Sequence, residues 1–439
     1  MVELNETHDP GLRSWIEAAN SPASDFPVQN LPFGVFCRQG SPDAPRGAVA
    51  IGDHLLDLRA SCEAGLFTGA AAVAAAAAAG PTLNALMEQP ATNVSALRAQ
   101  LSKCLRADGP GAERLRGRGS ELLVPLEQAQ MTLPARIGGY TDFSCSYTHM
   151  ANMRNGEPAR IFFQFPIGYH GRTSSIRPSG SAVIRPRGRF GAADDASREV
   201  QFGPEPRLDF ELEFAAFVAQ GNALGASLTV DHAADRLFGY CLLNDWSARG
   251  IQMLEMGGLG PFLGKSFLTT ISPWIVTHEA MAPFRVARPE RRPSEPRVPA
   301  HLDSIRDSQA GGMGVELTAY VQSAGMRAAG LPAARIVYTN LRHLYWTFAQ
   351  MLAHQTSNGC NVQAGDLLAS GTVSGPEAEG RACLAEINQR GTKPLELPGG
   401  SKRLWLEDGD EVTIKGRAAR EGYVSIGFGA CTGQVRPCP

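Results

Sequence analysis

Short runs of β-branched and aromatic residues, separated by Gly and Pro, dominate the sequence from Leu123 to its end. This stretch shows no regular alternation of strand and helix patterns. A doubly wound parallel sheet needs that alternation to supply its crossover helices, whereas antiparallel and mixed sheets do not. The pattern therefore predicts a mainly β fold, with a large antiparallel or mixed β domain over residues 123–439.

The first 122 residues have a different composition. Residues 21–59 alternate short apolar runs with Pro and Gly, which predicts a small β-rich module. Residues 60–118 are rich in Ala, Leu and Arg with helical spacing, and the alanine run at 70–80 predicts a surface helix. The length of 439 residues allows two large domains. We predict a β module with a helical connector over residues 1–122 and a second domain over 123–439.

Two segments interrupt the predicted β domain. Residues 281–299 hold many prolines and arginines, which is typical of a long surface connection. Residues 340–357 carry apolar side chains at helical spacing, with Asn340 as a possible N-cap. This second segment is the best helix that the sequence predicts.

Charge and cysteine content narrow the possible partners. A net charge of −2 argues against general binding to nucleic acid or to anionic membrane surfaces. The nine cysteines have no CxxC spacing, so neither a disulfide framework nor a zinc site is expected, and a reducing cytoplasm is favoured. The first twenty residues resemble no secretory signal, and no apolar run reaches the roughly 20 residues that a membrane span requires. We expect a cytoplasmic protein that binds a small molecule or a second copy of itself.

Apolar and acidic residues alternate strictly between Leu208 and Phe214. A strand there places the carboxylates of Asp209, Glu211 and Glu213 on one face, about 7 Å apart between neighbours. Like charges that close repel each other unless they are solvated, protonated or bound to a cation. The segment is therefore either a solvated acidic face or a site for a hard cation such as calcium or magnesium.

Three other segments carry candidate chemistry. His149 follows the acidic residue Asp142, and a histidine near an acid can act as a general base, although most histidines only pack or cap. If Asp245 opens a helix, Arg249 lies on the same face, which fits either a functional cluster or a simple N-cap with a salt bridge. Lys265 lies in a Gly-rich segment whose spacing and Pro261 do not fit a phosphate-binding loop. A lysine in that position is suited to stabilise a developing negative charge.

Taken together, these segments are similar to the fumarylacetoacetase family over nearly the whole chain. The N-terminal match is residues 25–36, and the matching strings of the second domain are Tyr140-Thr141-Asp142-Phe143, Gly168-Tyr169-His170-Gly171-Arg172, residues 208–213, residues 244–249, residues 260–270, Asn358-Gly359-Cys360-Asn361, residues 365–372 and residues 406–412. Many strings in one order are far more specific than any one of them.

The resemblance implies a small SH3-like N-terminal barrel, a mixed β-sandwich roll as catalytic domain, and a homodimer with active sites near the subunit contact. It implies hydrolysis of a carbon–carbon bond in a 1,3-diketo acid, giving fumarate and acetoacetate at the end of tyrosine and phenylalanine breakdown. By motif position, a calcium or magnesium ion would be held by Asp142, Glu211, Glu213 and Asp245, with a second magnesium position at Asp245, Lys265 and Thr269. His149 would be the base, oriented by Glu386. The residues in contact with substrate or its oxyanion would be Arg249, Gln252, Lys265, Tyr169 and Thr372.

The sequence departs from the family pattern where the far end of the substrate would bind. Ser144 and Met256 replace two substrate-binding tyrosines, and Gly250 replaces an acid. The loop after Met153 is shortened, so Arg154 is the expected counterpart of a mobile arginine. The alternatives are a different β-diketone, a β-keto acid that is decarboxylated or isomerised, or a homologue without catalysis.

Overall fold

A computed structural model describes residues 3–40, 44–191 and 200–439. Its N-terminal part contains a five-stranded antiparallel sheet in the order β4-β3-β2-β1-β5. The strands are β1 (Phe33–Arg38), β2 (Arg46–Ile51), β3 (His54–Asp57), β4 (Leu123–Pro125) and β5 (Ala129–Met131). Two strands that follow residue 122 thus complete the sheet formed by the first three.

Six helices lie between β3 and β4. They are α1 (Leu58–Glu63), α2 (Gly69–Ala78), α3 (Asn84–Met87), α4 (Ala91–Leu105), α5 (Ala112–Arg116) and α6 (Gly119–Leu122). The alanine run forms α2 as predicted, but it is not simply a surface helix. Ala71, Ala74, Ala75 and Ala78 are fully buried, because small side chains at this spacing let neighbouring backbone approach closely. A Cβ at Gly47 would lie 1.8 Å from the Ala78 carbonyl oxygen.

The rest of the chain is built around an eight-stranded sheet, the main sheet, and a five-stranded sheet, the second sheet. The main sheet has the order β7-β6-β22-β13-β14-β16-β8, with β17 also paired to β14, and the second has the order β21-β20-β25-β26-β9. The strands of the main sheet are β6 (Tyr140–Phe143), β7 (Gly168–His170), β8 (Ile176–Pro178), β13 (Leu212–Val218), β14 (Leu237–Asp245), β16 (Thr269–Ile271), β17 (Val276–Thr277) and β22 (Leu367–Ala369). Those of the second are β9 (Ala182–Ile184), β20 (Val315–Gln322), β21 (Ala334–Asn340), β25 (Glu411–Ala418) and β26 (Ile426–Arg436).

Short strand pairs and helices connect and flank the strands of these sheets. The pairs are β10 (Arg187–Phe190) with β11 (Gln201–Pro204), β12 (Leu208–Asp209) with β15 (Ser247–Ala248), β18 (Arg285–Val286) with β19 (Gly312–Met313), and β23 (Leu395–Glu396) with β24 (Lys402–Arg403). The helices are α7 (Tyr147–Arg154), α8 (Val230–Ala234), α9 (Arg249–Glu255), α10 (Leu263–Ser266), α11 (Ile305–Ala310), α12 (Ala324–Ala328), α13 (Phe348–Thr356) and α14 (Leu384–Ile387). The fold is therefore mainly β, as the sequence predicts.

The main sheet is buried on both faces. On one face Phe214 of β13 packs against Phe428 of β26, with ring centroids 5.0 Å apart, so the two sheets form a sandwich. On the other face Phe217 and Leu243 belong to the same core as residues of the N-terminal sheet. Burial on both faces explains the nearly continuous apolar sequence of β14.

Three local predictions differ from the structure. The helix expected from Asn340 begins only at Phe348, because Thr347 and Gln350 form a capping box there and Asn340 instead caps a short 3₁₀ turn. Asp245 does not open a helix, since it is the last residue of the buried strand β14. The predicted strand over residues 208–214 is broken between β12 and β13. In the described residues, no helix is both long and apolar enough to cross a membrane.

Candidate active site

Three buried carboxylates converge at one edge of the main sheet. Asp142 lies near the end of β6, Glu213 near the start of β13, and Asp245 at the end of β14. β13 runs antiparallel to both β14 and β22, and β22 runs parallel to β6, so these three positions share an edge. One oxygen from each carboxylate lies within 4.8 Å of the others. The strand order thus brings together acids from three separate stretches of sequence.

The donor set fits a divalent cation. Oδ1 of Asp142 and both carboxylate oxygens of Glu213 are buried without a hydrogen-bond partner among the described residues. Burial raises the pKa of Asp142 and of Glu213 well above their usual range, and the neighbouring acids add to the effect. Buried acceptors left without partners are costly, and hard oxygen ligands of this kind suit calcium or magnesium. The site is therefore chemically suited to hold such an ion.

Glu211, the fourth predicted ligand, is bound to cationic side chains. Its carboxylate contacts Lys265 Nζ at 2.5 Å and Arg249 Nη1 at 2.8 Å. Burial alone would raise the pKa of Glu211, but the two cations outweigh that effect and hold it below its usual range. Glu211 is thus an ionised neighbour of the three converging acids and is not one of that group.

Lys265 links the acids to each other. Its ammonium lies 2.7 Å from Asp245 as well as 2.5 Å from Glu211. Burial by itself lowers the pKa of Lys265, yet Asp245 and Glu211 together raise it above the ordinary value. Lys265 is therefore a fixed positive charge inside the site. Thr269 on β16 donates its hydroxyl to Asp245 Oδ1 at 3.0 Å.

His149 and Glu386 form a hydrogen-bonded pair, which we call the dyad. Glu386 Oε2 lies 2.9 Å from His149 Nδ1. Asn152 donates to Glu386 Oε1 at 2.8 Å and Ser374 donates to Oε2 at 2.7 Å. Burial would raise the pKa of Glu386, but His149 and these two donors lower it to about 2. The carboxylate is ionised at neutral pH and fixes the orientation of the imidazole ring.

The remaining polar residues lie around these groups. Tyr169 donates its hydroxyl to Asp245 Oδ2 at 2.9 Å, and burial with the nearby acids raises its pKa, so the phenol keeps its proton. Gln252 accepts from Arg249 Nη1 at 3.1 Å. Thr372 is buried next to Gly371, whose φ of 74° and close approach to the Phe143 carbonyl exclude a side chain.

The residues predicted for the far end of the substrate lie apart from these contacts. Met256 follows α9 and is 58% exposed, and Arg154 is exposed at the end of α7. Ser144 is half-buried, and its backbone amide donates to the Ile167 carbonyl at 2.7 Å. The structure therefore brings the acids and Lys265 together. His149 of the dyad lies near enough to Glu211 to contribute to the lowering of the pKa of that acid. Ser144, Met256 and Arg154 are not joined to these groups by a described contact.

Sequence reasoning did not assign roles to several residues around the dyad. Asn152 follows His149 by three positions on α7, and that helical spacing is the signal by which it could have been found. Ser374 and Cys383 both contact Glu386 Oε2, with the Cys383 sulfur at 3.3 Å, but no spacing in the sequence predicts these contacts. The alternating pattern places Asp209 with Glu211 and Glu213, but in the structure its carboxylate contacts Arg249.

Comparison with known proteins gives a consistent result. The family model "Fumarylacetoacetate (FAA) hydrolase C-terminal" matches residues 139–436, and "Fumarylacetoacetase N-terminal" matches residues 29–134. The chain belongs to the fumarylacetoacetase family. A fumarylacetoacetase of Oryza sativa subsp. japonica is 44% identical, with 97% of each chain covered. The fumarylacetoacetase of Homo sapiens is 41% identical, covering 94% of this chain and 97% of the relative.

The fold of the fumarylacetoacetase family is also found among solved structures. The crystal structure of Cg1458 with inhibitor has a TM-score of 0.50 to this chain at 12% identity, covering 93% of this chain and 100% of the other. At that identity the similarity concerns the fold alone. Membership of the fumarylacetoacetase family, by contrast, extends over both parts of the chain that the sequence distinguishes.

Proposed function

We propose that this protein hydrolyses 4-fumarylacetoacetate to fumarate and acetoacetate with the help of a divalent cation. The observation that carries the proposal is the convergence of three buried carboxylates, two of which have unpartnered oxygens, beside Lys265 and Glu211. The His149–Glu386 dyad lies near enough for His149 to act on Glu211. The near full-length identity of 41–44% to fumarylacetoacetases supports the substrate.

Asp142, Glu213 and Asp245 would hold the cation, with Glu211 as a further acid beside them and Thr269 and Lys265 at a second position around Asp245. When bound, a calcium or magnesium ion polarises a carbonyl oxygen and stabilises negative charge on the two oxygens of a 1,3-diketone. The four carboxylates outnumber the two cationic side chains that contact them, Lys265 and Arg249, and this favours a further cation at this place.

His149 would activate the attacking water. Glu386 engages Nδ1, so Nε2 is the nitrogen free to accept a proton from water as its oxygen attacks the carbonyl carbon. The resulting imidazolium is stabilised by the ionised Glu386, whose role is that of the acid in a Ser-His-Asp triad. When the carbon–carbon bond breaks, its electron pair passes to the acetoacetate fragment as an enolate, and the proton that His149 took from water would then be returned to the enolate carbon.

Lys265, Arg249 and Gln252 would stabilise the oxyanion that forms during this attack. Lys265 and Arg249 are buried and held in fixed orientations by acids, so their charges need no reorganisation during the reaction. Tyr169 and Thr372 would contact the substrate near the acids. Ser144, Met256 and Arg154 would face its far carboxylate.

The wider proposal concerns assembly and setting. We infer a cytoplasmic homodimer that acts in tyrosine and phenylalanine breakdown, with residues 123–439 as the catalytic β-sandwich roll. Residues 1–122 would form an SH3-like module that β4 and β5 complete. The oligomeric state is measured by sedimentation of the purified protein, and a monomer contradicts that part of the proposal.

Turnover of fumarylacetoacetate by purified protein with calcium or magnesium tests the function. A panel of other 1,3-diketones and β-keto acids belongs in the same assay, because Ser144 and Met256 favour a changed preference at the far end of the substrate. Robust hydrolysis of fumarylacetoacetate, lost in His149→Ala, supports the proposal. Turnover of another diketone only, or unchanged rates in His149→Ala, contradicts it.

A further inference from the structure

Asp209 is a fully buried acid that touches neither the three converging carboxylates nor the dyad directly. Its Oδ2 accepts from Arg249 Nε at 2.9 Å and lies 2.8 Å from Nη2. The same carboxylate accepts the backbone amides of Phe210 at 2.8 Å, Leu384 at 2.8 Å and Ala385 at 3.1 Å. One side chain therefore contacts three different segments of the chain.

Two of these segments carry residues of the proposed mechanism. Arg249 is the first residue of α9, and Leu384 and Ala385 are the first two residues of α14. Glu386, the third residue of α14, holds the imidazole of His149. Because the first amides of a helix lack partners within the helix, a carboxylate that accepts two of them fixes where that helix begins. Asp209 thereby fixes, with one group, the start of the helix that carries Glu386 and the guanidinium of Arg249.

Neutralising Arg249 does not by itself require Asp209. Glu211 already contacts Arg249 Nη1 at 2.8 Å, and Gln252 accepts from the same nitrogen at 3.1 Å. Asp209 adds a hydrogen bond from Nε and an ion-pair contact at Nη2, which makes no hydrogen bond of its own among the described residues. The guanidinium is thus held on the Nε side as well as at Nη1. A planar guanidinium held at both ends has one orientation, which is what a group aimed at a developing charge requires.

We propose that Asp209 is a positioning residue that fixes the position of Arg249 relative to the His149–Glu386 dyad. The proposal rests on the proposed function for its kinetic consequence, but not for its structural one. Displacement of a catalytic group by about 1 Å can cost roughly 100-fold in rate. Loss of Asp209 displaces two such groups at once, while substrate binding that does not involve them is retained.

The test is Asp209→Asn, which keeps the shape of the side chain but sets an NH₂ group against donors of Arg249 or Ala385. We expect kcat to fall about 100-fold while KM changes less than about threefold. We also expect the ring ¹⁵N signals of His149, assigned by their loss in His149→Ala, to move towards those of Glu386→Gln. This second readout needs no substrate.

Asp410→Asn is the matched control. Asp410 is also fully buried, its oxygens contact Arg403 at 2.8 and 3.0 Å, and it accepts the Glu407 amide at 2.9 Å. This pair makes no described contact with the dyad or with Arg249. The control variant should lose stability while retaining kcat and the His149 signals.

Several results would overturn the proposal. A kcat for Asp209→Asn within about threefold of wild type does so. A lowered kcat with unchanged His149 signals also does so, because Asp209 would then act on Arg249 alone. If wild-type protein fails to hydrolyse fumarylacetoacetate, the proposed function fails while the His149 signals still test the positioning. If Asp209→Asn does not fold, deuterium exchange of residues 383–390 in wild-type protein decides, since rapid exchange of the Leu384 and Ala385 amides contradicts the contact.

Discussion

Replacing Glu386 by Gln removes the charge of the dyad while keeping its shape. Lowering the pKa of Glu386 from 4.5 to about 2 corresponds to about 3 kcal/mol in favour of the ionised form, at about 1.4 kcal/mol for each pKa unit. Much of this stabilisation comes from His149, so it would be available to the imidazolium that the proposed mechanism forms when His149 deprotonates water. Loss of about 3 kcal/mol in the transition state predicts a fall in kcat of about 100-fold, with little change in KM.

The same pKa makes a prediction for stability. A carboxylate whose pKa is depressed by folding stabilises the folded state above its unfolded pKa, and this contribution disappears as the pH falls through the folded value. For Glu386 the window runs from 4.5 down to about 2. Wild-type protein should therefore lose up to about 3 kcal/mol of unfolding free energy across that window. Glu386→Gln should lack this part of the pH dependence.

The assay compares steady-state hydrolysis of fumarylacetoacetate with denaturant unfolding at about pH 6 and about pH 3. Asp307→Asn is a suitable control, because Asp307 is buried outside the site, where it accepts a hydrogen bond from the Thr347 hydroxyl and burial raises its pKa. Its contribution has the opposite sign, being present at low pH and lost as the pH rises. The reasoning is refuted if Glu386→Gln keeps kcat within about threefold of wild type, or if both variants show the same change of stability with pH.

Three further predictions concern the cation and its neighbours. Chelation should abolish activity and lower the melting temperature, since an ion at 100 times its Kd adds about 2.7 kcal/mol of stability. Calorimetry with calcium and magnesium should show that Glu213→Gln has lost this gain in stability. An unchanged melting temperature in the presence of chelator argues against the site. Lys265→Met leaves Glu211 and Asp245 without their shared cation, so we expect a loss of about 3 to 5 kcal/mol in unfolding free energy, and a stability equal to wild type would contradict this. Ser374→Ala removes one donor to the dyad and should lower kcat by roughly 10-fold, as hydrogen bonds to charged groups contribute about 1.5 to 3 kcal/mol; rates equal to wild type would exclude that contribution.

The sequence identifies an acidic segment at residues 209–213 but does not predict the separate surroundings of its three carboxylates. Alternation predicts that Glu211 and Glu213 point the same way only if the strand is continuous, whereas Glu211 lies in the break between β12 and β13. Their different surroundings depend on Arg249 and Lys265, which lie far along the chain and reach Glu211 only in the folded state. Local pattern carries no information on such partners, so it could not show which acids form ion pairs and which have unpartnered oxygens.

The helix boundaries show a second limit. The capping box of Thr347 and Gln350 is visible in the sequence and outweighs Asn340 as a helix start, because it satisfies two backbone amides reciprocally. Asp245 and Arg249 are four residues apart, as on one face of a helix. The same separation is found here with Asp245 at the end of the central strand β14 and Arg249 at the start of α9. Burial on both sheet faces decides that case, and burial is a property of the tertiary structure.

The order of strands in the main sheet also governs how the protein folds. Asp142, Glu213 and Asp245 stand on β6, β13 and β14, with β22 inserted between the first two. β22 comes from late in the chain, and its parallel pairing with β6 closes a very long loop, which is slow compared with forming local hairpins. During refolding, affinity for the proposed cation should thus be regained only in the slowest phase, and the ion would stabilise the completed topology without serving as an early nucleus.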